Sequence, residues 1–289
     1  MPDWMDETDI AFPNLGIYLE NVPKSFQIFG ITIALYGVII GLGVVCAFAL
    51  MSYISKKDGG NPDDIYDAGL WILIFGLIGA RLYYVIFSWD YYKDNLLSIL
   101  NIRGGGLAIY GGVIAGTLTA CIWCRIKKKN FRSFADIAVL GALVGQIVGR
   151  WGNFTNREVF GGYSDGLLAM RLPIDAVRAR DINADLAAHI AEGTNYIQVH
   201  PTFLYESLSN LVLLALIIIF RKKKKVDGEC VCWYFGGYGI IRFIIEGIRT
   251  DQLKFAGTDL AVSQCLGLLL FIVSAVLIAF IRIKALKEK

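Results

Sequence analysis

Three charged residues in the last fifth of the chain have the types and spacing to bind an anion. Arg242 and Glu246 are four residues apart and Arg249 follows three residues later, so a helix would place them on one face. One carboxylate cannot neutralise two guanidinium groups, and we expect at least one cation in excess. Because arginine holds phosphate in a bidentate fashion, the pattern indicates phosphate binding. The alternative is that these residues are interfacial anchors and internal ion pairs.

The elements that position these residues must lie in a membrane, because the chain is too apolar for a soluble protein. Of its 289 residues, 56% are hydrophobic, and the mean hydropathy is +0.55. Apolar runs of about 17 to 25 residues can cross a bilayer. The chain has about seven such runs: 28–54, 67–89, 104–124, 134–150, 201–220, 230–248 and 260–281. The sequence predicts an all-α integral membrane protein with about seven transmembrane helices.

The predicted spans form one membrane domain over residues 1–289. Spans one to four lie in residues 28–150, and spans five to seven lie in residues 201–281. The longest stretch between spans, residues 151–199, is mixed in polarity and contains Pro173. We expect it to be a small extracytoplasmic cap of helical turns and strands.

The distribution of lysine and arginine predicts the orientation, because cytoplasmic loops retain positive charge. Basic residues crowd the loops after the first, third and fifth spans, at Lys56, Lys128 and Lys223 among others. These loops are predicted to be cytoplasmic, as is the C-terminus. The acidic N-terminus is predicted to be extracytoplasmic.

Polar residues from several predicted spans fall at one depth, the outer leaflet. Arg150, Arg242 and Glu246 end outward-running spans, and Arg81 lies two turns below the outer end of another. The inward-running spans begin with Tyr36, Tyr110, His200, Tyr205 and Glu206. An ionisable residue in a bilayer is costly and marks a function by default. A phospholipid head group is the nearest source of phosphate at this depth.

Glycines crowd the start of the third span, at 104–106, Gly111 and Gly112. Close helix packing and approach of the backbone to a ligand are both open interpretations.

Two other classes of membrane protein fit the pattern less well. A transporter needs polar residues at several depths, whereas the cytoplasmic halves of the spans, such as 38–50 and 212–220, are almost purely apolar. An intramembrane protease needs paired aspartates, a serine and histidine pair or a zinc motif, and none is visible. No metal site is expected, because Cys121, Cys124, Cys230 and Cys232 have no histidine near them.

The motifs resemble those of one family. Residues 149–158 read G-R-W-G-N-F-T-N-R-E and resemble G-R-x-G-N-F-x-N-x-E, the signature of the prolipoprotein diacylglyceryl transferases. Further matches occur in family order from about Tyr36 to Leu266: 105–112, 200–206 and 238–249. The resemblance implies a bacterial inner-membrane enzyme that transfers diacylglycerol from phosphatidylglycerol to the lipobox cysteine in a prolipoprotein signal peptide. It implies membrane lipids as surroundings, and no nucleic acid, cofactor or metal.

The resemblance also implies site residues where the motifs match: Arg150, Asn153, Glu158, Gly161, Arg242, Glu246, Arg249 and Tyr36. We assign Arg150 and Arg242 to the substrate phosphate, and Glu246 to the orientation of Arg242. Asn153 and Glu158 would hold the signature turn. His200 is a candidate base or a structural helix start. Tyr110 stands where some family members have a histidine, and we expect it to donate a hydrogen bond rather than accept a proton.

The predicted orientation can be tested by labelling single cysteines in intact cells, in a chain whose native cysteines have been replaced. A membrane-impermeant thiol reagent should label Arg249→Cys and leave Lys56→Cys, Lys128→Cys and Lys223→Cys unlabelled until the cells are opened. Labelling at position 128 in intact cells would refute the topology.

Overall fold

The computed structural model describes residues 4–102, 105–255, 257–258 and 260–287. These residues are mostly helical, as predicted. Their α-helices are α1 (Leu35–Lys57), α2 (Pro62–Phe87), α3 (Trp89–Tyr92), α4 (Ile109–Ile126), α5 (Phe131–Asn156), α6 (Ala184–Ala188), α7 (Thr202–Phe220), α8 (Glu229–Glu246) and α9 (Val262–Lys287). Their strands are β1 (Ile10–Phe12), β2 (Ile17–Leu19), β3 (Ser25–Ile28), β4 (Ile31–Ala34), β5 (Met170–Pro173) and β6 (Tyr196–Val199).

Six helices in the described part of the chain are long and apolar enough to cross a membrane: α1, α2, α4, α5, α7 and α9. The sixth predicted span corresponds to α8, which has 18 residues but contains Glu229, Arg242 and Glu246. All three charges are paired inside the protein, Glu229 with Arg282 of α9 and the other two in the network described below. A seventh span over α8 therefore stays a prediction.

The first span begins later than predicted. Residues 28–34 belong to a β-hairpin, in which β3 and β4 pair Ile28 with Ile31. The two turn residues, Phe29 and Gly30, have φ angles of 50° and 78°, as a tight two-residue hairpin turn requires. The apolar run extends through the hairpin into α1, so hydropathy alone gave no boundary. In contrast, α5 is longer than predicted and continues to Asn156.

The cap contains more than residues 151–199. A four-stranded sheet has the order β2-β1-β5-β6, so the N-terminal strands pack with the segment between α5 and α7. The core of this sheet is buried, with Phe160, Leu172 and Ile197 almost fully enclosed. The cap strands were predicted without this N-terminal contribution, because the sequence does not indicate which distant strand completes the sheet.

The chain forms two compact units, and the first comprises Met1–Ala47 and Val139–Lys289. Its helices approach closely at glycines. A Cβ atom at Gly239 of α8 would lie 2.4 Å from the carbonyl oxygen of Gly267 on α9. A Cβ atom at Gly237 would lie 2.4 Å from the Leu213 side chain of α7. Small residues thus bring α7, α8 and α9 together, as is common in membrane proteins.

The second unit, Phe48–Ala138, is centred on the crossing of α2 and α4. A Cβ atom at Gly111 would lie 2.3 Å from the carbonyl oxygen of Gly79. Close helix packing therefore accounts for Gly111, while Gly104 lies outside the described residues. Arg81 of α2 is buried and donates hydrogen bonds of 2.8–3.0 Å to the carbonyl oxygens of Ser98, Ile99, Asn101, Gly105 and Gly106. Arg81 thus anchors the loop that leads into α4.

Candidate active site

One buried carboxylate joins three helices of the first unit. Glu206 lies on α7, and its side chain is 1% exposed. One carboxylate oxygen accepts a hydrogen bond from Arg150 of α5 at 2.5 Å, and the other accepts one from Arg242 of α8 at 3.3 Å. The two arginines that sequence analysis assigned to phosphate are therefore brought together by a residue that was not assigned to the site.

The network continues along the C-terminal end of α8. Glu246 accepts a hydrogen bond from Arg242 and lies 3.6 Å from a guanidinium nitrogen of Arg249. Arg249 in turn makes a bidentate pair with Asp251, with distances of 2.8 and 2.7 Å. The order of charges is Arg150, Glu206, Arg242, Glu246, Arg249 and Asp251.

The expectation of an unpaired cation was wrong. Each of the three arginines contacts at least one carboxylate, because Glu206 and Asp251 supply the counterions that local spacing does not reveal. Glu206 is recognisable in the sequence as an acidic residue inside an otherwise apolar predicted span, but the sequence does not show which arginines it pairs with. Burial raises the pKa of Asp251, but the hydrogen bonds and charge of Arg249 outweigh it, so that the pKa is lowered overall. Asp251 is therefore ionised at neutral pH.

The signature turn after α5 holds Arg150 from its other side. Asn153 accepts a hydrogen bond from Arg150 at 3.2 Å and donates one to Glu158 at 2.9 Å. Glu158 also pairs with Arg178 of the cap at 2.8 Å. The structure thus brings Arg150, Asn153 and Glu158 together. The role of Asn153 and Glu158 in holding the signature turn stays a prediction.

The backbone of this turn is unusual. Arg157 and Val159 have φ angles of 56° and 60°, which residues other than glycine rarely adopt and which is most unfavourable for a β-branched side chain. Sequence analysis did not single out Arg157. Its buried guanidinium donates to the carbonyl oxygens of Thr155, Thr8 and Val22 at 2.9, 2.6 and 2.7 Å. These contacts hold the turn against the N-terminal segment.

Gly161 lies where three segments meet. Its N–H group donates to the carbonyl oxygen of His200 at 3.0 Å, and the N–H group of Gly162 donates to that of Ile248 at 2.9 Å. A Cβ atom at Gly161 would lie 2.8 Å from the Ile248 oxygen, so a larger residue would separate the segments. Gly161 thus connects the signature to the start of α7 and the end of α8.

His200 and Tyr36 also lie in this unit. Nδ1 of His200 lies 3.2 Å from the hydroxyl oxygen of Tyr205, and burial lowers the pKa of the imidazole, so that it is neutral at pH 7. Tyr36, at the start of α1, packs its ring against the backbone of Gly152, where a Cβ atom would lie 2.6 Å from the ring. Tyr110 belongs to the second unit, as the second residue of α4, and is 57% exposed.

Apolar helices of membrane-spanning length and a buried arginine and carboxylate network together define the class: a polytopic membrane protein. The sequence matches the profile of the family described as prolipoprotein diacylglyceryl transferase over residues 23–280. The chain belongs to this family.

Three relatives are each named phosphatidylglycerol–prolipoprotein diacylglyceryl transferase. The protein of Finegoldia magna is 40% identical over 254 residues, which cover 88% of this chain and 93% of the relative. That of Clostridioides difficile is 38% identical over 237 residues, 82% and 87% of the two chains. That of Listeria monocytogenes is 39% identical over 264 residues, 91% and 90% of the two chains.

The central role of Glu206 generates a stability prediction. Glu206→Gln keeps the shape of the side chain but removes the negative charge shared by Arg150 and Arg242. Loss of one partner from a buried ion pair costs about 3 to 5 kcal/mol, because the other charge is left uncompensated. We expect the free energy of unfolding of the purified protein in detergent to fall by about that amount.

The matched control is Asp90→Asn. Asp90 forms an ion pair with Lys93 at 2.9 Å, but the aspartate side chain is 94% exposed, and surface pairs of this kind contribute little. Equal stability of the two variants would contradict the central role of Glu206.

Proposed function

We propose that the chain transfers the diacylglyceryl group of phosphatidylglycerol to a prolipoprotein, the first step of lipoprotein maturation. The sulfur of the lipobox cysteine attacks the glycerol carbon that carries the phosphate. The carbon–sulfur bond forms as the thiol loses its proton, and the carbon–oxygen bond to the phosphate breaks. Glycerol phosphate leaves with the electron pair, and its phosphate, now a monoester, can take up the proton. The observation that supports this reaction most directly is the buried Arg150–Glu206–Arg242 arrangement in a chain of this family.

The phosphate ester gains negative charge as it leaves, and fixed donors aimed at that charge are the largest expected source of catalysis. Each guanidinium has five N–H donors, and the bonds to Glu206 and Asn153 occupy only part of those on Arg150. Arg150 also remains 18% exposed. Glu206 holds both guanidinium groups in place before the substrate binds, which is the preorganisation that such a site needs.

The order of charges favours one end of the network for the phosphate. The network begins with a cation, Arg150, and ends with an anion, Asp251. A phosphate near Asp251 would be repelled, whereas one that contacts Arg150 and Arg242 meets two cations that share Glu206. Arg249, which is paired with two carboxylates, then orients Glu246 rather than contacting the leaving group.

The substrate thiol is activated by the same charges. An unperturbed cysteine has a pKa of about 8.5, and neighbouring cations lower it. Tyr110 donates a hydrogen bond that positions the head group. His200 is neutral and can receive a proton, although its bond with Tyr205 favours a structural role. Asn153, Glu158, Gly161 and Tyr36 shape the substrate site.

We place the reaction in the outer leaflet of the bacterial cell membrane, with the N-terminus extracytoplasmic and the C-terminus cytoplasmic. The alternation of basic loops supports this orientation.

The proposal is tested with purified protein in phosphatidylcholine vesicles that contain phosphatidylglycerol and a lipobox peptide. Mass spectrometry should detect the peptide with a diacylglyceryl thioether. Arg242→Ala should reduce the rate about 100- to 1000-fold, as loss of one preorganised donor does. Arg242→Lys should also be strongly impaired, because an ammonium group cannot replace the planar fork of the guanidinium.

The control for this pair is Arg180→Ala, since the Arg180 side chain is 76% exposed in the cap. It should transfer at the normal rate. Near-normal turnover by Arg242→Ala would exclude Arg242 from the site, and absence of the thioether with the unmodified protein would refute the reaction itself.

Variants of Tyr110 test whether this residue positions the head group as a hydrogen-bond donor or acts as the base. If it only donates a hydrogen bond, Tyr110→Phe should lose activity by an amount equivalent to about 0.5 to 3 kcal/mol, and Tyr110→His should remain active because imidazole also donates. Rates measured from pH 6 to 9 would separate the two roles, with the exposed Tyr91→Phe as control. A loss above about 1000-fold for Tyr110→Phe would identify the tyrosine as the base instead.

A further inference from the structure

A second layer of polar side chains lies one helical turn from the arginine network. Gln146 precedes Arg150 by four residues on α5, and Asn210 follows Glu206 by four residues on α7. The Arg150–Glu206 pair and a 3.0 Å bond from the Ser207 hydroxyl to the carbonyl oxygen of Ile147 show that α5 and α7 run antiparallel here. Gln146 and Asn210 therefore lie on the same side of the ion pair, further from the helix ends at the cap.

The amide of Asn210 is buried and unpartnered. The residue has 0% exposure, and neither its side-chain nitrogen nor its oxygen has a hydrogen-bond partner among the described residues. Gln146 donates to the hydroxyl oxygen of Tyr234 on α8 at 2.9 Å, but its own oxygen is likewise unpartnered within the described part of the chain. Buried polar groups in proteins are almost always hydrogen-bonded, so this layer is suited to a polar group from outside the chain.

The depth of this polar layer indicates which chemical group of the substrate it would bind. Four residues of α-helix correspond to a rise of about 6 Å, roughly one turn. In a glycerophospholipid the ester carbonyls are separated from the phosphate by the glycerol carbons, a distance similar to one turn. If the phosphate contacts Arg150 and Arg242, the ester carbonyls reach the level of Asn210. Their oxygens accept hydrogen bonds, and the amide nitrogen of Asn210 has two N–H groups to donate.

We propose that Asn210 is a substrate-binding residue that donates a hydrogen bond to an ester carbonyl of the diacylglyceryl group. This inference rests on the proposed function of the arginine network. It adds a recognition step for acyl esters one turn deeper than the reacting carbon. Gln146 and Tyr234, which are hydrogen-bonded to each other, border the same layer. The site would then recognise the diacylglyceryl group through both its phosphate and its ester linkage.

The experiment compares phosphatidylglycerol with its dialkyl ether analogue, which lacks the carbonyl oxygens but keeps the bond that is broken. Each lipid is supplied in phosphatidylcholine vesicles with the same lipobox peptide. The unmodified protein should use the ether lipid with a kcat/KM about 3- to 10-fold lower, the effect of one neutral hydrogen bond. Asn210→Leu should lose most of this preference and use both lipids at similar rates, close to that of the unmodified protein on the ether lipid.

Controls separate recognition from folding. Ser274→Ala also replaces a buried polar side chain, on α9, and should keep the preference of the unmodified protein for the ester. If Asn210→Leu does not fold, as judged by thermal unfolding in detergent, Asn210→Ala is the second variant and should show the same loss of preference. The comparison of the two lipids by the unmodified protein needs no variant at all.

Two outcomes would overturn the proposal. One is equal use of ester and ether lipid by the unmodified protein, and the other is an unchanged preference in a folded Asn210 variant. If the variant instead raises the KM for the peptide by the same factor with both lipids, Asn210 contacts the peptide backbone and the lipid proposal is wrong. Failure of the proposed function is distinct from all of these, because then neither lipid yields a thioether with the unmodified protein.

Discussion

A charge among apolar helices must be paired with an opposite charge inside the protein. The Glu206 carboxylate of α7 pairs with an arginine on α5 and another on α8, and so links three helices. Because the Glu206 side chain is almost fully buried, its negative charge would be very costly without Arg150 and Arg242. The converse also holds, because each arginine depends on a carboxylate from a neighbouring helix. The relative positions of α5, α7 and α8 are therefore fixed by the residues that would do the chemistry. Under the proposed function, the contacts that stabilise the helices also preorganise the site for catalysis.

The segments outside the helices serve this arrangement. Gly161 allows the signature segment to pass between His200 and Ile248, and Arg157 ties the unusual turn to the N-terminal segment. Positive φ angles at Arg157 and Val159 are unfavourable locally, so the surrounding hydrogen bonds must stabilise them. These segments thus hold the C-terminal ends of α5 and α8 and the N-terminal end of α7 close together, where the ion pairs form.

Sequence alone predicts those parts of the site that depend on spacing along one helix or one motif. The i, i+4 relation placed Arg242 beside Glu246, and the signature placed Arg150, Asn153 and Glu158 together. Sequence alone could not predict that Glu206 bridges two helices or that Asp251 balances Arg249, since pairing between segments depends on how they pack. The hairpin before α1 was missed because a short apolar run fits a strand or a helix equally well. The length and apolar character of the other spans are local properties, and most of these helices were predicted with small errors at their ends.

The charges of α8 also constrain how the bundle is assembled. If α8 spans the membrane as predicted, an isolated α8 would carry Glu229, Arg242 and Glu246 into the bilayer, where a charge costs up to about 2.5 to 3.5 kcal/mol near the centre. Its partners come from its neighbours in the chain, Glu206 on α7 before it and Arg282 on α9 after it. In the sequence, α8 is thus flanked by the helices that carry the counterions of Arg242 and Glu229. If α7, α8 and α9 inserted together, the charges of Arg242 and Glu229 would be paired by these neighbouring helices alone. Residues from earlier parts of the chain would not be needed for this pairing.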